Sequence, residues 1–354
     1  MIRTSHYLFA ALCLGSLFAC SRQFTDSYIV PKWCFAVFML FIVLAYEAVN
    51  ILFYRQNEQK DTRISVYGFI IVISCFLQAM FGVVQFFGFF QISTTLWVTG
   101  SFDNPAGFAA CLCAGFPFVG FLLSDSNKYI RYVGGLIGFV IVIAVILSQS
   151  RAGIMSIAFI CFILLNMKFF HKRWVKYLSL LCFALLLSGC YWMKKDSADG
   201  RLLIWRCSVS MVKDAPWLGH GIGSFEARYM DYQADYFRQY GLNRYSMLAD
   251  NVKHPFNEYL GVLLNFGFVG LLMILALITL LIYCYKKHPC AEKRIAFYSL
   301  ISIGVFSFFS YTFTYPFTWI VTFLCIIILT KEYIAKVFTC PIIKNTVCLS
   351  LIHI

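Results

Sequence analysis

Residues 253–284 read KHPFNEYLGVLLNFGFVGLLMILALITLLIYC. After Glu258 this run contains no Asp, Glu, Lys, Arg or His through Cys284. A helix needs about 20 predominantly apolar residues to cross the hydrocarbon core of a bilayer, so 257–284 predicts a spanning helix. His254, Asn257 and Glu258 stand just before it, where a chain would leave water for lipid. A protonatable ring at that boundary suggests chemistry at a membrane surface.

The rest of the chain repeats the pattern. Of 354 residues, 61% are hydrophobic and 13% charged, about half the charge density of a soluble domain. Ten apolar segments are predicted to be helices: 6–22, 33–53, 66–90, 104–123, 130–148, 152–168, 175–192, 257–284, 295–312 and 316–334. The predicted fold is therefore all-α and polytopic, with about ten transmembrane helices. An N-terminal secretory signal ending near Cys20 is the alternative for the first segment, and a retained helix is preferred because many spans follow. The 15 cysteines form no C-x-x-C pattern, and a Cys190–Cys207 disulfide would require an oxidising compartment.

The net charge of +13 sorts by loop rather than forming a nucleic-acid footprint. Short loops at alternate ends carry 17 Lys and Arg, whereas the short loops at the other ends hold only Arg22, Lys32 and Arg151. By the positive-inside rule both termini are cytoplasmic. The long polar stretch 193–256 then falls outside, dividing the chain into helices one to seven (1–192), a periplasmic loop (193–256), helices eight to ten (257–336) and a cytoplasmic tail (337–354). Loops this long are usually functional or disordered, and this one is too rich in Trp, Tyr, Phe and Leu for disorder. Leu202, Trp205, Val209 and Val212 recur at helical spacing, which predicts an amphipathic helix beginning at Arg201, lying on the outer membrane face and stopped by Pro216 and Gly219.

Four motifs share that outer side: VTGSFDNPAGFAACL (98–112), SQSRAGIMS (148–156), DGRLLIWRCSVSMVKDAPWLGHGIGSF (199–225) and KHPFNEYLGVLLNFGFVGLL (253–272). In this order they resemble the O-antigen ligase and O-antigen polymerase superfamily, over about residues 98–285. The resemblance implies a metal- and cofactor-independent glycosyltransferase of the bacterial inner membrane. Its donor would be a glycan on undecaprenyl diphosphate, and its acceptor lipid A–core for a ligase or a second lipid-linked glycan for a polymerase. Relatives that glycosylate proteins have the same donor chemistry. Membrane lipid is the further expected partner, and nucleic acid is not.

The residues suit this chemistry. A diphosphate leaving group gathers negative charge, and a guanidinium is a permanently charged fork that matches phosphate oxygens. Arg151 matches the family's Ser-Arg pair, Arg201 its Arg before Trp, and Arg206 follows a turn later. All three are candidates for diphosphate binding; a snorkelling or solvated arginine is the bland alternative. The resemblance makes His254 the candidate base that accepts the acceptor's hydroxyl proton. Many relatives place this His directly before the Asn, whereas Pro255 and Phe256 intervene here. Asn104, Asn257 and Glu258 are candidates to bind substrate, with helix capping the competing use of the two Asn residues. His220, the Asp231/Asp235 pair and the tyrosines of 229–240 read more simply as loop, solvated face and interfacial anchor. A transporter or flippase is disfavoured because the predicted helix interiors are almost free of charge.

Overall fold

The computed structural model describes residues 2–53, 62–89, 98–168, 173–193 and 195–339. These are α-helical throughout, apart from turns, three short 3₁₀ segments and loops. The helices are α1 (Ile2–Phe18), α2 (Ile29–Phe53), α3 (Thr62–Phe86), α4 (Pro105–Gly115), α5 (Val119–Leu123), α6 (Lys128–Leu147), α7 (Arg151–Lys168), α8 (Arg173–Met193), α9 (Lys195–Asp214), α10 (Ser224–Tyr240), α11 (Glu258–Lys287), α12 (Ala291–Phe309) and α13 (Pro316–Thr339). Each of the ten predicted apolar segments is helical over most of its length, although 6–22, 66–90 and 295–312 run past the helix ends at Phe18, Phe86 and Phe309, and residue 90 lies outside the described residues. Six stretches are long and apolar enough to cross a membrane: Ile29–Tyr46, Ser65–Phe86, Pro105–Leu123, Lys128–Leu147, Glu258–Lys287 and Pro316–Tyr333. Thr4–Phe18 and Arg151–Met167 are shorter apolar helices. This is the architecture of a multi-pass membrane protein. Residues 340–354 of the predicted tail, and the side chain of Cys190, lie outside the described residues.

The bundle is organised around α4. Its sequence PAGFAACLCAG supplies small residues that let neighbours approach closely, the packing mode of helices in lipid. A Cβ on Gly107 would sit 2.5 Å from the Tyr315 ring, and one on Gly115 2.2 Å from Cys75 Sγ. Serines tie α12 to this axis: Ser302 donates to the Cys113 carbonyl and Ser299 to the Ala114 carbonyl, each at 2.7 Å. Pro117, in the 3₁₀ turn Phe116–Phe118, separates α4 from α5, since a proline removes one backbone donor and crowds the preceding turn.

Residues 195–256 form a compact unit on α11. Leu203, Cys207 and Met211 of α9 pack with Phe225 and Tyr229 of α10, with Tyr245 of the loop that follows it, and with Leu264 of α11. The buried stripe of α9 is thus turned by about one residue from the predicted Leu202/Trp205/Val209/Val212 set, and Leu202 and Val209 are exposed. The helix also begins at Lys195 rather than Arg201. Arg201 consequently lies in its second turn, away from the N-terminal dipole. Cys207 is a buried free thiol of this small core.

Candidate active site

The 216–221 turn is fixed to α11 through two glycines. Gly267 interrupts α11 with φ 61° and ψ −158°, a conformation essentially reserved for glycine. The opened backbone pairs with the turn: His220 N–H donates to the Leu264 carbonyl at 2.7 Å, Gly221 N–H to Asn265 at 3.0 Å, and Phe268 N–H to Pro216 at 2.8 Å. At this approach there is no room for side chains. A Cβ on Gly219 would lie 2.6 Å from the Asn265 carbonyl carbon, and one on Gly267 2.3 Å from the Trp217 carbonyl. The Gly-rich turn and the NFGF segment are therefore two halves of one joint that seats α9 and α10 on the bundle.

Two arginines converge beside that unit. Arg151 opens α7 directly after a turn in which Gln149 takes φ 53°, and its guanidinium donates to Ser197 Oγ at 2.7 Å. Ser197 and Arg201 are four residues apart on α9 and so share a face. Arg201 donates to the Phe309 carbonyl at 2.6 Å, at the C-terminus of α12 where backbone acceptors lack helical partners. Its guanidinium also covers the Phe256 ring at 5.0 Å. Arg151 and Arg201 line one cavity of about 210 Å³, walled by Tyr191, Leu202, Trp205 and Phe309. Burial, then the like charge of Arg151, push the Arg201 pKa down to about 10.

Met155 and Phe309 line this cavity and also a second one, of about 500 Å³, whose remaining walls are Phe159, Phe183, Tyr259, Ile301, Gly304, Val305 and Phe308. The second cavity runs between α7, α8, α11 and α12 and is apolar almost throughout. A cationic chamber at the helix ends thus adjoins a greasy groove within the bundle.

His254 is not among the residues lining the arginine cavity; it is linked to Arg201 through two rings, Tyr311 and Phe256. Its imidazole stacks on Tyr311 with centroids 4.8 Å apart and planes 26° from parallel. Phe256 meets the same Tyr311 ring edge-on at 5.3 Å. The two residues inserted before Asn257 have definite work: the Pro255 carbonyl accepts the Trp205 indole N–H at 2.9 Å, and Phe256, with φ 53°, lies between Arg201 and Tyr311. Burial lowers the His254 pKa from its usual value; the Glu226 carboxylate opposes that shift and Lys253 adds to it.

The other candidates serve the frame. Asn257 N-caps α11, accepting from Leu260 N–H at 3.0 Å, and is buried. Glu258 accepts the Phe313 N–H at 2.8 Å and holds the α12–α13 turn. Asn104 N-caps α4 through Gly107 N–H at 3.0 Å and accepts the Tyr315 hydroxyl at 3.2 Å. Arg206 is exposed and faces the opposite side of α9, over Tyr245 at 5.2 Å and toward the Tyr236 hydroxyl at 3.4 Å. The structure does not bring it to the cavity. His220 is tied down on both nitrogens: Arg228 can donate but not accept, so Nδ1 accepts and Nε2–H donates to the Met211 carbonyl at 2.7 Å. Asp235 accepts from Arg238 at 2.6 Å.

Sequence reasoning missed Tyr311, the ring under His254, and Phe309, the residue shared by the two cavities. Both lie in the stretch FSYTFTYP (309–316), whose density of hydroxyls and rings between two apolar helices was the available signal.

No curated protein matches the chain. Residues 136–275 match the family model described as O-antigen ligase, a stretch running from α6 across the Gly267 joint. Asn104 and Tyr311 fall outside the matched residues, while Arg151, Arg201 and His254 fall within them. Over that stretch the chain is similar to the O-antigen ligase family, a match that supports membership of the O-antigen ligase superfamily.

Proposed function

We propose that the protein transfers a glycan from undecaprenyl diphosphate to an acceptor hydroxyl at the periplasmic face of the bacterial inner membrane, with lipid A–core as the acceptor. The observation that carries this reading is the adjoining pair of cavities: two guanidiniums over a chamber that opens onto an apolar groove match a diphosphate with a polyisoprenoid tail. In this scheme Arg151 and Arg201 bind the diphosphate, and the tail follows Met155, Phe159, Val305 and Phe309 into the bilayer. The acceptor oxygen attacks the anomeric carbon of the donor sugar. The bond from that carbon to the diphosphate oxygen breaks, and its electron pair leaves with undecaprenyl diphosphate. His254 takes the hydroxyl proton, and the two arginines neutralise the charge that grows on the leaving group. Tyr311 keeps the imidazole oriented. Asn104, Asn257 and Glu258 hold the helix ends that shape the chamber. The loop 193–256 lies outside the membrane, with ten spans and cytoplasmic termini.

Deletion of the gene tests the reading through the lipopolysaccharide ladder. Full-length lipid-linked polymer that accumulates without reaching the core supports the ligase. Core capped with single repeat units indicates a polymerase, and an unchanged ladder with lost glycoprotein indicates protein glycosylation. In the complemented strain, His254→Ala and Arg151→Ala are each expected to abolish transfer while the protein remains expressed and inserted. Normal surface glycan in both variants overturns the assignment.

A further inference from the structure

A third cavity, of about 690 Å³, lies at the other end of the bundle, among α5, α6, α7 and α12. Its walls include Val119 and Leu123, Gly134, Gly135 and Gly138, and Ile160 and Leu164; Ser124 and Arg294 stand at its mouth. Along α6 the lining runs from Gly134 to Val142. Eight residues of helix rise about 12 Å, most of the roughly 15 Å of hydrocarbon in one leaflet. The glycines make this depth. Gly134 and Gly138 pack against Leu122 and Val119 of the same chain, and a Cβ on Gly135 would meet nothing within 4 Å.

The mouth is basic. Arg294 is exposed, and Lys128 and Arg131 begin the neighbouring α6. The acidic groups nearby have their own donors: Glu292 accepts from Lys331 at 2.9 Å, and Asp125 accepts the Asn127 N–H at 2.8 Å. An apolar slot one leaflet deep, with an arginine at the polar end, is complementary to a phospholipid of negative charge. Basic pockets between membrane helices on the cytoplasmic side are a recurrent setting for such lipids.

We propose that this groove is a binding site for an anionic phospholipid of the cytoplasmic leaflet, with one acyl chain along Gly135 and Gly138 and the phosphate on Arg294. The site is separate from the arginine chamber, so it stands whether or not the protein is a ligase.

The test uses the purified full-length protein in neutral detergent, titrated with phosphatidylglycerol or with phosphatidylcholine of the same acyl chains. Binding is read by native mass spectrometry and by the thermal midpoint. Phosphatidylglycerol is expected to bind saturably and raise the midpoint, and phosphatidylcholine to bind more weakly. Arg294→Gln should weaken phosphatidylglycerol about fivefold, the effect of losing one basic contact at a membrane surface. Gly135→Leu fills the slot from open space, so it should abolish binding of both lipids without lowering the lipid-free midpoint. Equal affinity for the two lipids with no response to Arg294→Gln overturns the proposal. So does phosphatidylglycerol binding that survives Gly135→Leu, or a lipid-free dimer that Gly135→Leu dissociates, which would assign the groove to a second copy of the chain.

Discussion

The two ends of α12 handle positive charge in opposite ways. At its start, Lys293 is fully buried and donates to Glu332 at 2.6 Å, while the adjacent Glu292 accepts from Lys331 of α13 at 2.9 Å. The pairs cross between two helices, and Lys293 and Lys331 are each matched by a carboxylate, while the exposed Arg294 stands apart at the groove mouth. At its end, the Phe309 carbonyl receives a guanidinium, and a second guanidinium shares the same cavity. Like charges brought together in a partly dry chamber oppose folding unless something else gains from them, and a bound anion does. Matched charge at one end ties two helices together; at the other, two like charges line one cavity, and in the proposed reading a bound diphosphate neutralises them.

Neutralising one cation at each end separates these roles. Arg201→Gln is expected to lower glycan transfer by roughly 100-fold or more, the usual consequence of removing a donor aimed at developing charge. Its thermal midpoint in detergent should hold or rise, because Arg151 loses a repulsive neighbour. Lys293→Met should do the reverse: it strands Glu332 and destabilises by about 1–3 kcal/mol, with transfer per folded molecule unchanged. Adding Glu332→Met to Lys293→Met should recover part of that loss. A stability cost in Arg201→Gln matching that of Lys293→Met, with transfer intact, would erase the distinction.

A smaller effect tests how the ligand end is built. Gly267→Ala must place a Cβ where the Trp217 carbonyl lies and hold a backbone that glycine alone adopts easily. The expected cost is on the order of 1–3 kcal/mol, felt first as detachment of the 195–256 unit from α11. Limited proteolysis in the 216–223 turn reads that detachment directly. Gly135→Ala, on an open helix surface, serves as the neutral control.

The same contrast explains what was legible in the sequence. Bundle helices follow from apolar length, a property of consecutive residues, and each of the ten predicted segments is helical over most of its described length. The Pro216 and Gly219 stop of α9 was equally local. The face of α9 was not: its apolar residues lie on both sides, Leu203 and Cys207 toward α10 and Leu202 and Trp205 toward the arginine cavity, so periodicity could not say which side packs. Site composition also depends on contacts far apart in the chain. Arg201 meets Phe309 across 108 positions, and Tyr315 reaches Asn104 across 211. No spacing rule joins such residues. Ordered motifs pointed to Arg151, Arg201 and His254 as candidates, and the first two line one cavity. They could not indicate that Arg206 turns toward Tyr245, nor that Asn257 and Glu258 spend their oxygens on helix and turn N–H groups.

The smallest expected effect concerns the ring beside the arginine pair. Burial disfavours the His254 imidazolium, so its pKa lies below the ordinary 6.5, and the neutral ring that can accept a proton persists into mildly acid solution. Transfer limited by this base should therefore fall as pH drops through a value under 6.5 and be flat above it. Glu226 pulls in the opposite direction because its carboxylate favours the imidazolium. Glu226→Gln is expected to move the acid limb to lower pH, and Lys253→Gln to higher pH, with the plateau rate near neutrality unchanged. An acid limb that ignores both substitutions would mean that the titrating base is not His254, leaving the two guanidiniums to bind a donor whose acceptor is activated elsewhere.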